Sequence, residues 1–72
     1  MLAGMAARTY RLRVEGELSD IAAQAFEGMT LTRGAGTTLL VGRVRDQAEL
    51  QGLLTRISEL GLTLLSAKTI DE

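Results

Sequence analysis

The chain has 72 residues, a formal net charge of −1, and no cysteine, histidine or proline. Disulfides, thiolate metal sites and thiol nucleophiles are therefore excluded, as is imidazole, the commonest metal ligand and the one side chain that titrates near neutrality without help. A domain this short buries only about 60% of the surface its unfolded chain exposes, and with no disulfide to staple it, self-association is the expected source of added stability.

Residues 1–8 read as a flexible N-terminal tail and residues 9–72 as one domain. The opening Met1-Leu-Ala-Gly-Met-Ala-Ala7 has no basic residue ahead of its short apolar run, unlike a secretory signal. Met5 offers an alternative start. From Thr9 to Leu18 the residues alternate, with Tyr10, Leu12, Val14 and Leu18 on one face and Thr9, Arg11, Arg13, Glu15 and Glu17 on the other. A period of two with one apolar face predicts a half-buried strand. Gly16 inside it predicts a bulge or the close approach of a helix.

Ser19 or Asp20 can cap a following helix of about two turns, whose stripe is Ile21, Ala22, Ala25 and Phe26. Gly28 is its expected C-terminal stop. Met29 to Arg33 and Thr37 to Val44 predict two strands joined by a three-residue loop, Gly34-Ala-Gly36. A phosphate-binding glycine loop must lead into a helix N-terminus, whereas this one leads into Thr37-Thr-Leu-Leu-Val, a strand. Asp46-Gln-Ala-Glu49 is a capping box. Leu50, Leu53, Leu54, Ile57 and Leu60 then form a helical stripe that ends at Gly61, where Leu62 can pack back on Ile57. Gly52 lowers helix stability by about 1 kcal/mol relative to Ala and predicts a crowded packing contact. Leu62 to Ile70 predicts the last strand.

A short design occurs twice. Val14-Glu-Gly-Glu-Leu-Ser-Asp20 matches Leu40-Val-Gly-Arg-Val-Arg-Asp46 in residue type, and each copy runs into a helix that ends at a glycine, Gly28-Met-Thr-Leu or Gly61-Leu-Thr-Leu. Two β-α-β units with right-handed crossovers predict an α+β, ferredoxin-like split β-α-β domain. Its sheet would be antiparallel in the order 4-1-3-2, with two helices on one face. The repeat also sets register: Val14, Leu18, Leu40 and Val44 face the helices.

The opposite sheet face then carries Arg11, Arg13, Leu39, Val41, Arg43, Leu65 and Ala67, with threonines around them. An apolar band with a polar rim, where a solvated sheet face should be mostly polar, predicts an interface. The expected partner is a second copy, in a dimer or higher oligomer, or a larger protein. Nucleic acid is not expected: the central strands offer that face no aromatic for base stacking, and the isoelectric point is acidic, about 5.3. No membrane association is expected either, because no run approaches the roughly 18 apolar residues of a span. The lack of cysteine fits a cytoplasmic location.

No residue set assembles a catalytic site. Asp20 and Asp46 read as helix caps. Glu15 and Glu17 could pair as carboxylates, but Arg11, Arg13, Arg43 and Arg45 are near enough to make them a solvated ionic surface. Ser19, Ser58 and Ser66 have no histidine partner, and Lys68 is the sole lysine. Tyr10 reads as a ring at the edge of the core. No cofactor, metal or catalytic residue is assigned.

From Tyr10 to Ser66 the chain resembles small uncharacterised bacterial proteins, on TYRLRVEG, GMTLTR and above all VRDQAELQGLLTRISELGLTLLS. That resemblance implies a stand-alone domain and no mechanism. In topology and length the chain is similar to ACT-type regulatory domains, which pair through their sheets and bind small effectors at the interface. Their usual Asp-x-Pro-Gly-x-Leu turn after the first strand is replaced by Gly16-Glu-Leu-Ser-Asp-Ile21, so no binding residue carries over. The expected function is a non-enzymatic, self-associating assembly or regulatory module. The alternatives are an ACT-like small-ligand sensor with a pocket at a dimer interface, and a minimal ferredoxin-like enzyme completed across the dimer.

Overall fold

The computed structural model describes residues 7–70. Its elements are β1 (Arg8–Glu15), α1 (Asp20–Ala23) continued by a 3-10 turn (Gln24–Phe26), β2 (Thr30–Gly34), β3 (Thr37–Val44), α2 (Gln47–Glu59) and β4 (Leu64–Thr69). The four strands form one open antiparallel sheet in the order β2-β3-β1-β4, which counted from the other edge is 4-1-3-2. The expected tail lies outside the described residues as far as residue 6, and Arg8 already belongs to β1.

Alternation places Leu12 and Val14 of β1 beside Leu40 and Val44 of β3, all fully buried. Leu18, Phe26, Leu53 and Ile57 complete the same core, so both helical segments cover the same face of the sheet. The α1 stripe is corrected at Ile21, which is 79% exposed. Only four residues are α-helical before the chain tightens into the 3-10 turn. That tightening directs Ala22, Ala25 and Phe26 inward and leaves Ile21 on the outside.

The ends of α2 follow local chemistry. Asp46 Oδ1 accepts from the Glu49 N–H at 2.9 Å. Glu49 Oε1 in return accepts from the N–H of Arg45 at 2.7 Å, one residue ahead of the reciprocal partner a capping box uses. At the other end Gly61 is left-handed (φ +73°). The Leu62 N–H donates to Ile57 O at 3.0 Å and the Gly61 N–H to Ser58 O at 3.0 Å, the bond pair of a Schellman stop. Leu60, expected in the stripe, is 43% exposed.

The two copies of the sequence repeat diverge at their glycines. Gly16 takes φ +89° and ends β1, whereas Gly42 continues β3. The loop after β1 is laced to the β2–β3 hairpin. Thr38, fully buried, accepts from the Leu18 N–H at 3.0 Å and donates to Gly16 O at 2.8 Å. The Gly16 N–H donates to Gly36 O at 2.6 Å, and the Gly36 N–H to Glu17 Oε2 at 3.2 Å. The hairpin itself is corrected from three residues to two: Gly34 pairs with Thr37, leaving Ala35 and Gly36 at φ +56° and +78°. Two positive φ values match the right-handed twist of the flanking strands in a type I′ turn.

Candidate functional site

The outer face of the sheet is built by odd-numbered residues of β1 and β3. Arg11 lies opposite Val41, Arg13 opposite Leu39, and Thr9 opposite Arg43. On the far side of β3, Thr30 lies opposite Val41 and Thr32 opposite Leu39. Leu39 and Val41 are half-buried and the arginines exposed. Arg43 Nη1 donates to Thr9 Oγ1 at 3.4 Å. Five of the seven residues expected at an interface, Arg11, Arg13, Leu39, Val41 and Arg43, thus share this face.

The other two do not, because β4 shifts register. Leu64 pairs with Val14 but Ser66 pairs with Arg13, so Leu65 is an extra residue between them. An extra residue in one strand of an antiparallel pair inverts the facing of everything beyond it. Ala67 therefore lies opposite the buried Leu12, on the helix side, where alternation alone placed it outward. Ser66 and Lys68 take the outer positions instead, Lys68 directly opposite Arg11. Leu65 sits at the bulge, 48% exposed.

Sequence reasoning did not single out β4 as a surface in its own right. Among the described residues it is an edge strand paired with β1 alone, and backbone bonds at both ends, Glu15 N–H to Thr63 O and Ile70 N–H to Thr9 O, extend that pairing over its length. Among the described residues five large hydrophobic side chains are exposed: Ile21, Leu60, Leu64, Leu65 and Ile70. Three of these, Leu64, Leu65 and Ile70, lie on β4 or directly after it, and Leu60 caps the end of α2. The signal was present in the run Leu62-Thr-Leu-Leu, which has more apolar residues than one strand face can bury.

The ionic groups are dispersed. Asp20 pairs with Arg33 at 2.9 Å and Arg45 with Glu49 at 3.4 Å, all at the surface, where such pairs contribute about 0–1 kcal/mol. Glu15 and Glu17 form no ion pair with Arg11 or Arg13 among the described residues. Two clefts open on the helix side. One, of about 670 Å³, lies between α1 and β2 and includes Asp20, Phe26, Met29 and Arg33. The other, of about 570 Å³, lies along α2 with Arg45, Asp46, Glu49, Gly52 and Arg56. Gly52 borders that second cleft, and a Cβ there would meet no atom within 4 Å, so the expected crowding at Gly52 is corrected to open space. Among the described residues no group of three His, Cys, Asp or Glu side chains is placed to hold a metal ion, and no helix is long and apolar enough to cross a membrane.

Among the described residues the α+β domain thus has one sheet face covered by helices, one uncovered face, and an edge strand with exposed leucines. The chain belongs to the family described as Domain of unknown function (DUF8691), whose profile matches residues 9–68. The match spans all of the sheet but the outermost residues of β1 and β4. No curated protein and no solved structure matches the chain.

Proposed function

We propose that this is a non-enzymatic ferredoxin-like assembly module that pairs with a second copy of itself along the β4 edge. The observation that carries the reading is the run of exposed Leu64, Leu65 and Ile70 along an edge that has no further strand partner among the described residues. An exposed edge strand presents free N–H and C=O groups as a template for another strand, and natural proteins usually blunt such edges with charge or proline. The only charge in β4 is Lys68, whose side points to the outer face. At the opposite edge, β2 is one residue shorter and carries Arg33, tied to Asp20. Two-fold pairing of β4 with its copy would extend the sheet and bring the apolar side chains of this edge near their counterparts. It would also supply the buried surface a chain of this size lacks.

Sedimentation equilibrium tests this directly. The parent protein is expected to be a dimer at micromolar concentration. Leu65→Glu should be monomeric with its far-ultraviolet dichroism retained, and Val41→Glu, on the bare face, should stay dimeric. A well-folded parent monomer of 7.7 kDa would sink the reading. If Val41→Glu dissociates and Leu65→Glu does not, copies meet through the sheet face instead.

A further inference from the structure

We propose that the outer sheet face docks an acidic polypeptide segment of another protein. Arg11, Arg13 and Lys68 would meet its carboxylates, and Leu39 and Val41 its aliphatic side chains. The inference stands on the charge pattern of a single chain and is independent of pairing at the β4 edge.

The bulge in β4 creates the pattern. It sets Lys68 directly opposite Arg11, with Arg13 two residues along on the same face. Like charges directly opposite each other weaken a strand pair. None of these three side chains has an ion-pair partner among the described residues. The chain as a whole is slightly acidic, with nine carboxylate residues against eight basic ones, yet four of its acids are engaged away from this face. Glu17 receives the Gly36 N–H, Asp20 holds Arg33, and Asp46 and Glu49 cap α2. Among the described residues the acid of β1 and β3 on the outer face is Glu15, opposite Thr37 at the end of the sheet. A repulsive cluster on a face that no described element covers is complementary to negative charge arriving from outside.

The neighbours of the cluster narrow that charge to a polypeptide. Leu39 and Val41 adjoin Arg13 and Arg11 across the strand pair, so the face combines cations with apolar contact. Thr30, Thr32 and Ser66 border it with hydroxyls. Aliphatic side chains flanked by carboxylates fit this surface. Nucleic acid fits it poorly, because base recognition by an open sheet needs stacking aromatics. Tyr10 and Phe26 both pack toward the core instead. An anionic membrane is poorly served by three cations on a chain of net negative charge.

The test uses the full chain and a synthetic amphipathic peptide with glutamates and leucines at helical spacing, labelled for fluorescence anisotropy. The same peptide with glutamine for glutamate, single-stranded RNA, and phosphatidylserine vesicles serve as comparison arms. The glutamate peptide should bind saturably at about 50 mM salt and lose most of its affinity at about 500 mM, where surface charges are screened. The glutamine peptide should not bind. Arg11→Gln/Lys68→Gln should weaken binding about tenfold or more, as loss of complementary interface charges does, while Arg56→Gln, on α2, should leave it unchanged. Because the double variant removes a repulsion, it should melt no lower than the parent. Absence of saturable binding by the glutamate peptide would overturn the proposal. So would equal weakening by Arg56→Gln, a lower melting temperature of the double variant, or tighter binding of RNA or vesicles through the same residues.

Discussion

Thr38 offers the sharpest test of how the loop after β1 is held. Its hydroxyl is fully buried and serves two backbone groups at once, accepting from Leu18 N–H and donating to Gly16 C=O. Thr38→Val keeps the shape of the side chain and removes both bonds. A buried backbone group left without its partner costs about 1–3 kcal/mol. The Leu18 N–H falls in that range. Gly16 is only half-buried, so water recovers part of the loss at its carbonyl, and the combined effect comes to about 2–4 kcal/mol. A chain of this length has a total stability of about 4–11 kcal/mol, so the loss is a large fraction of it. Thr38→Ser keeps both bonds and loses one methyl group, about 1 kcal/mol. Urea unfolding followed by far-ultraviolet dichroism should show a lower midpoint and an unchanged slope for the valine variant. Protein concentration must be held fixed across the series, since any self-association makes the midpoint concentration-dependent. If the valine and serine variants unfold within about 0.5 kcal/mol of each other, an ordinary surface-site difference, the hydroxyl does not anchor the loop.

The longer helix should respond as a core element: Leu53→Ala and Ile57→Ala, at buried positions, should each destabilise by about 2–5 kcal/mol in the same assay. Two helix-side glycines should respond in opposite directions. Gly52→Ala adds a methyl to open space and should stabilise by about 1 kcal/mol, whereas a Cβ on Gly42 would lie 2.8 Å from Met29 Cγ and Gly42→Ala should destabilise by about 1–3 kcal/mol. Ala35 is left-handed at φ +56°, so Ala35→Asn should raise the unfolding midpoint, by about 0.5–1 kcal/mol of stability, because asparagine tolerates that conformation in a type I′ turn. A lower midpoint for Ala35→Asn would mean that the hairpin turn is of another type.

The elements and core of this protein were legible in its sequence wherever the controlling interactions are local. The alternation of Leu12 and Val14, the Asp46 cap and the Gly61 stop each depend on residues a few positions apart, and each forms in the structure. The repeat likewise marked Val14, Leu18, Leu40 and Val44 as inward, and all four are buried. The surfaces were less legible. Five of the seven expected outer-face residues lie there, but Ala67 and Leu65 do not follow the alternation, because the bulge at Leu65 exists only in the pairing of β4 with β1. No glycine or proline marks it in the run from Leu62 to Ile70. The same holds for the two-residue hairpin, decided by which residue Gly34 pairs with, and for the open space beside Gly52, decided by how α2 sits over the sheet. Local pattern states which way a side chain points relative to its own strand. Which neighbour it meets is settled only when strands separated by many residues adopt one register, and a slip of one position there inverts a face without changing a letter of the sequence.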